Sequence, residues 1–281
     1  MRVLVTGAGG MVGRALCEFC EASGDTVFAY DRAALDISNA GAVREVVHST
    51  KPDAVINCAA WTDVDGCESD VERAFAANAY GPENLAAASR EVNAAYVTIS
   101  TDYVFDGIKE GFYTQEDEPN PLSVYGRAKL EGEQRAQEAY NQSIIVRTGF
   151  IFGRGGKNFL SKIFELARRE QPIKAITNAY GTPTYARDLV RRLRELAQLN
   201  HAGIFHVVNS GDGASYAEFA REAMLIANLG ERPVKEVLSE TLDRPAGRPQ
   251  NSRLRCLHSE KLGLSPLPDW RDALRRFAED A

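Results

Sequence analysis

The sequence predicts an α/β protein organised around a doubly wound parallel sheet, and three observations carry that prediction. Short β-branched runs alternate with helix-length segments along the first half of the chain. The first of these runs ends in closely spaced glycines, and the later ones end in amide, hydroxyl or acidic residues. Ligand-binding side chains of such sheets collect beyond the carboxyl ends of the strands. At 281 residues the chain suffices for one large domain or two modest ones, with a core that needs no disulfide or metal staple.

Taken in order, residues 2–6 (RVLVT) are apolar on both faces, as a buried parallel strand requires. Residues 6–16 then change to helical spacing, with glycines at 7, 10 and 13. A strand, a tight glycine turn and a helix N-terminus present backbone N–H groups and a positive dipole end to a pyrophosphate, the Rossmann-like arrangement. Residues 25–31 read as a second strand ending in Asp31, where a ribose hydroxyl contact falls. Asp31 would repel a 2′-phosphate and the adjacent Arg32 would pair with one, so NADPH and NADH both stay open. Residues 54–60 form a further strand running into a small-residue loop, 71–92 an Ala-rich helix containing Asn78, and 95–100 another strand.

The chemistry-bearing residues follow these strands. Ser100 and Thr101 leave a strand end, and Ser123, after the Pro-rich 119–121 stop, is a helix N-cap candidate. The helix it starts carries Tyr125 and Lys129 four apart, on one face. A phenol titrates near 10, and a neighbouring ammonium stabilises the phenolate and lowers that value, making a proton donor and acceptor. Alone, this spacing equally fits a surface tyrosine near a solvated lysine. The glycine turn and the strand-end hydroxyls upstream favour the catalytic reading.

Composition excludes several classes. The 33 Lys+Arg against 39 Asp+Glu give a net charge of -6, which lacks the basic footprint of nucleic-acid binding. No apolar stretch approaches the roughly 20 residues that span a bilayer, so no membrane partner is expected. Five scattered cysteines suit reduced thiols and a cytoplasmic location. Cys17 and Cys20 form a CxxC within a helix with no second pair nearby, which reads as packing. His206 lies in a strand pattern and reads as a structural imidazole, and the basic run 187–194 reads as a solvated helix face. No metal site is expected.

In order along the chain, GxxGxxG at Gly7, Gly10 and Gly13, NCAAWTDVD at 57–65, STDYVFDG at 100–107, YGRAK at 125–129, RTGFIFG at 147–153, GTPTYA at 181–186 and RPQNSRL at 248–254 resemble the extended short-chain dehydrogenase/reductases, in particular the branch acting on dTDP-linked 4-keto sugars. The resemblance runs essentially end to end. It implies a dinucleotide-binding domain over 1–150 and a smaller, mainly substrate-binding domain over 151–281, with a segment at about 181–200 returning to the first. Substrate would lie in the cleft between them.

The resemblance further implies reduction of the C4 keto group of dTDP-4-dehydro-6-deoxy-L-mannose to dTDP-L-rhamnose, with NADPH or NADH. Thr101, Tyr125 and Lys129 would be the catalytic set. Tyr125 would protonate the C4 oxygen, Thr101 would hydrogen-bond it, and Lys129 would hold the nicotinamide ribose. Cofactor contacts would come from Gly7, Gly10, Met11, Val12, Asp31, Arg32, Asp36, Ile37, Ala59, Ala60, Thr62, Tyr125 and Lys129. Substrate contacts would come from Thr62, Val64, Asn78, Thr101, Asp102, Tyr103, Phe150 and Arg253, with Phe150 standing where relatives often have a tryptophan. Some relatives bind magnesium through a glutamate two residues after the third glycine, where this chain has Ala15. Thr101 is followed by Asp102 and Tyr103 and not by two carboxyls, so elimination of water is not expected. Another 4-keto sugar reductase and a non-catalytic NADP-binding regulatory subunit are the alternatives, and either a monomer or a homodimer fits.

Overall fold

Val3 and Val5 of strand β1 (Arg2–Thr6) enter one apolar cluster and Leu4 enters another, and all three are fully buried. A strand with two apolar faces has to be covered on both sides. The computed structural model, which describes residues 1–169, 172–228 and 233–280, does this with alternating units. After β1 come α1 (Met11–Ala22), β2 (Thr26–Tyr30), α2 (Ala40–Thr50), β3 (Ala54–Asn57), α3 (Val64–Ser69) and α4 (Val71–Phe75). They are followed by α5 (Gly81–Glu91), β4 (Ala95–Thr101), α6 (Val124–Ala139) and β5 (Ile144–Thr148).

The second half is built of short pieces: β6 (Ile151–Phe152), α7 (Ile163–Arg168), β7 (Ile173–Ile176), β8 (Tyr180–Gly181) and β9 (Thr184–Tyr185). Next are α8 (Ala186–Leu199), β10 (Gly203–His206), β11 (Asn209–Ser210), β12 (Ala214–Ser215) and α9 (Tyr216–Ile226). The chain finishes with β13 (Val234–Val237), α10 (His258–Lys261), β14 (Leu267–Asp269) and α11 (Trp270–Asp280). Its own core gathers Phe152, Phe164, Phe219, Trp270 and Phe277.

All pairings of the central sheet are parallel, in the order β2-β1-β3-β4-β5-β10. The order reverses between β1 and β3, and ligands of open α/β sheets bind in the crevice outside such a reversal. Leu189, Leu193 and Leu196 of α8 join Leu16 and Cys20 of α1 over one face, and α2, α5 and α6 cover the other through Val43, Val47, Leu85 and Ala136. Residues 186–206 thus belong to this layer, with Gly203–His206 paired along β5.

The glycine turn is fixed by close approach. Gly7 takes φ 68°, and a Cβ there would lie 2.6 Å from Ala59 N, while one on Gly13 would lie 2.2 Å from Gly7 O. Residues 71–92 are not one α-helix: Ala76–Tyr80 is a π-helical turn between α4 and α5. Pro82 has no N–H to give the Asn78 carbonyl four residues earlier, and that carbonyl lies against Gly132, where a Cβ would come within 2.1 Å.

The basic run 187–194 is only partly a solvated face. Arg192 is 4% exposed, donating to Glu195 Oε2 at 2.7 Å and to Ser265 O, and Arg194 pairs with Asp25 at 2.6 Å. These long side chains leave the water, Arg192 almost wholly and Arg194 in part, because each finds an acceptor. His206 is buried with Nδ1 3.0 Å from Arg255 O and 3.2 Å from Tyr113 O, and burial holds it down at about 3, a neutral imidazole. All five cysteines are free, and burial pushes the Cys17 and Cys20 thiols up to about 11 and about 12. No described helix is long and apolar enough to cross a membrane, and no described cluster of His, Cys, Asp and Glu could hold a metal ion.

Candidate active site

A single cleft runs past the strand ends as three joined cavities. The inner one, about 410 Å³, is walled by Gly7, Gly10, Asp31, Arg32, Asp36, Ile37, Ala59 and Ala60. It shares Gly10, Ala59 and Ala60 with a central cavity of about 530 Å³, which adds Met11, Val12, Thr62, Val64, Thr101, Asp102, Tyr103, Tyr125, Lys129 and Phe150. An outer cavity of about 380 Å³ joins this at Tyr103, Phe150 and Tyr216 and extends to Arg244, Arg248 and Ser252.

The inner cavity suits a dinucleotide. The glycine turn leaves no room for a side chain beside Ala59, and Gly10, the N-cap of α1, offers no side-chain cap, so the first N–H groups of the helix take no side-chain partner there. Asp31 Oδ1 accepts from Ala33 N and Ala34 N, both at 3.0 Å, and Oδ2 has no partner among the described residues, free for a ribose hydroxyl. Trp61 on the same wall is covered by Arg73, whose guanidinium lies 4.2 Å from the ring centre.

In the central cavity, Ser123 caps α6 by accepting from Gly126 N at 3.1 Å, and Glu68 Oε1 accepts from Val124 N at 2.7 Å. Gly126 lets the helix sit against Tyr103 O, where a Cβ would come within 2.4 Å. This seats Tyr125 beside Thr101 and edge-on to Tyr103, ring centres 6.0 Å apart. Thr101 Oγ1 accepts from Tyr103 N at 3.1 Å and donates to Asp102 Oδ1 at 3.0 Å. Ser252 donates to the other Asp102 oxygen at 2.5 Å. Behind them Ser100 donates to Glu133, which also takes the Arg147 guanidinium at 2.7 Å, both members of that pair being buried.

The expectation that Lys129 lowers the Tyr125 phenol is overturned. Burial pushes Tyr125 well above its ordinary value, only partly offset by the neighbouring Thr101 hydroxyl. The Lys129 ammonium is committed elsewhere, donating to Ile99 O at 2.6 Å, and is itself brought down to about 8 by burial, with Glu133 opposing. The phenol is therefore a protonated donor at neutral pH. Burial also raises Asp102 to about 6 against the hydrogen bonds from Ser252 and Thr101.

Two expected substrate contacts are not on the cleft wall. Asn78 is fully buried, its side chain accepting from Trp61 N at 2.9 Å and donating to Trp61 O at 3.0 Å; it clamps the small-residue loop from behind. Arg253 donates to Asn251 Oδ1 at 2.9 Å and lies over the rings of Phe112 and Tyr180. In the extended segment around it, Ser252 is the residue turned to Asp102. Reading the sequence missed Tyr216, Arg244, Arg248 and Ser252. Arg248 and Ser252 sit in the RPQNSRL motif, a signal that was available, whereas Tyr216 and Arg244 carry none.

A glycine turn at the reversal of a parallel sheet, with a tyrosine–lysine helix beside it, defines the class of short-chain dehydrogenase/reductases. Within that class, the RmlD substrate binding domain family model matches residues 1–281, and the chain belongs to that family. The dTDP-4-dehydrorhamnose reductase of Mycolicibacterium smegmatis is 39% identical over 277 residues, 98% of this chain and 84% of that protein. The crystal structure of a dTDP-4-dehydrorhamnose reductase from Clostridium acetobutylicum superposes with TM-score 0.94 at 36% identity, covering 99% of each chain. That from Bacillus anthracis, in complex with NADP, gives TM-score 0.94 at 34% identity over 100% of this chain and 99% of that one.

Proposed function

We propose that the protein reduces the C4 keto group of dTDP-4-dehydro-6-deoxy-L-mannose to give dTDP-L-rhamnose, using NADPH or NADH. The observation that carries this reading is the meeting of Thr101, Tyr125 and Lys129 between a dinucleotide-shaped trough and an arginine-lined outer cavity. The names of the relatives and the NADP complex of one of them support it. When bound, the nicotinamide supplies a hydride to C4. Tyr125, protonated at neutral pH, gives its proton to the C4 oxygen, a general-acid step contributing on the order of 100- to 10,000-fold. Thr101 has one hydroxyl proton, given to Asp102 in the free protein. Its contact with the C4 oxygen therefore competes with that bond. Lys129 holds the nicotinamide ribose hydroxyls, and Arg32 meets a 2′-phosphate where one is present.

The outer cavity takes the nucleotide end. Arg248 pairs with Asp65 through two hydrogen bonds, 2.9 and 2.8 Å, and Arg244 lies beside it. Two guanidinium groups suit a diphosphate. One chain supplies every group, so monomer and homodimer are equally competent, and free cysteines suit a cytoplasmic setting. The test is turnover: purified protein with NADPH and dTDP-4-dehydro-6-deoxy-L-mannose should consume NADPH and release dTDP-L-rhamnose in equal amounts. Dinucleotide binding without turnover would favour a regulatory subunit and reject the enzyme.

A further inference from the structure

Tyr216 opens α9 from a junction held on two sides. Ser215 Oγ accepts from Glu218 N at 3.1 Å while Glu218 Oε2 accepts from Ser215 N at 2.7 Å, and Ala214 and Ser215 pair with Gly181 and Tyr180. The Tyr216 ring then packs 4.6 Å from Phe150 and 5.7 Å from Phe159. Gly181 makes room for this wall, since a Cβ there would lie 2.2 Å from the Phe150 ring.

Held so, the phenol stands at the throat between the central and outer cavities. A phenol O–H on the wall of a cleft bonds to water or to a ligand where the protein offers it no partner. That of Tyr216 makes no hydrogen bond to any described residue, although burial, followed by the nearby Asp102 carboxyl, raises it to about 12 and keeps it a donor. Arg244 and Arg248 lie on its other side.

A sugar nucleotide with C4 at Tyr125 and its diphosphate at Arg244 and Arg248 must lay its pyranose ring across this throat, because C4 and the anomeric carbon are at opposite ends of the ring. Of the three throat residues, Phe150 has no polar atom, and Tyr103, whose phenol likewise has no described partner, leans edge-on against Tyr125 at the C4 end. We propose that Tyr216 is a specificity-determining residue whose phenol, without a partner in the protein, hydrogen-bonds a ring hydroxyl of the bound sugar. This inference rests on the function proposed above and deepens it.

The test is calorimetric titration of the NADP-saturated protein with dTDP-L-rhamnose and, separately, with dTDP, for the unaltered protein and for Tyr216→Phe. The variant should bind dTDP-L-rhamnose about tenfold more weakly, a ratio worth 1.4 kcal/mol, and dTDP with unchanged affinity. In turnover the same substitution should raise KM and leave kcat nearly unaltered. Equal weakening of both ligands would make Tyr216 a structural or nucleotide contact and overturn the proposal, as would no weakening at all. If the unaltered protein turns over the 4-keto sugar yet Tyr216→Phe keeps full affinity, this inference alone fails. If the unaltered protein binds neither ligand, the proposed function fails and takes this inference with it.

Discussion

At the inner end of the cleft the chain comes so close to itself that a Cβ on Gly13 would lie 2.2 Å from Gly7 O, with Asp31 just past the end of the next strand. At the outer end the walls are long side chains secured by partners far away in sequence, Arg248 by Asp65 and Ser252 by Asp102. One end is a backbone surface whose shape depends on atoms that are missing. The other is a set of side chains, each separately anchored. Substitutions should therefore act differently at the two ends, collectively at the first and one ligand at a time at the second.

The junction between the ends gives the largest effect. Tyr125→Phe should lower kcat on the order of 100- to 10,000-fold while NADPH affinity stays near that of the unaltered protein, seen by pairing steady-state rates with dinucleotide titration. Comparable loss of NADPH affinity would mean that the phenol is part of the trough and not of the chemistry.

Next comes the backbone end. Gly13→Ala forces a methyl into the Gly7 carbonyl, so a loss of about 1–3 kcal/mol of stability is expected together with strongly weakened NADPH binding. A denaturant midpoint and a dinucleotide titration check both, and unchanged NADPH binding would break the contrast.

A smaller and more selective effect belongs to the outer end. Arg248→Ala should raise KM for the sugar nucleotide about tenfold, the size of one lost charge-assisted contact, with kcat and NADPH affinity little altered. If NADPH affinity falls as well, the two ends are not independent.

The smallest effect is a difference of slope. Asp102 titrates at about 6 in the folded protein against an ordinary 3.8, so its ionisation opposes folding above about pH 6 and no longer does so below about pH 4. The Tm of Asp102→Asn minus that of the unaltered protein should therefore increase as pH rises from 4 to 7. A difference that is flat with pH would mean that Asp102 titrates as an ordinary carboxyl.

The same contrast governs what could be read beforehand. Gly7, Gly10, Gly13 and Asp31 lie within about one βα unit, and Tyr125 and Lys129 share one helical turn, so local spacing carries them. The parallel, doubly wound sheet followed from the alternation of strands with helices, though not the place of β10 at its edge. Asn78 entered as a substrate contact through the family resemblance alone, whereas its two side-chain hydrogen bonds go to the Trp61 backbone. The π turn around it depends on a missing donor at Pro82 and on Gly132 of another helix. Spacing told that Lys129 is near Tyr125, and not that its ammonium is used by Ile99 O and that burial dominates both groups. Tyr216 and Arg244 enter the site beside residues such as Phe150 that are far away along the chain, which no local pattern records.

One face of the sheet is covered by α8, whose Leu189, Leu193 and Leu196 lie on Val5, Ile56 and Val97, and β10 closes the edge beside β5. Both are encoded after the first pieces of the other half of the molecule. During synthesis from the N-terminus, all five earlier strands are complete while that greasy face and that open edge still await residues 186–206. Domains of growing chains otherwise tend to fold as they emerge. Here the nascent protein must shield a sheet whose one face only α1 covers over the interval in which residues 149–206 are made, the stage at which a chaperone holding apolar surface would gain most purchase.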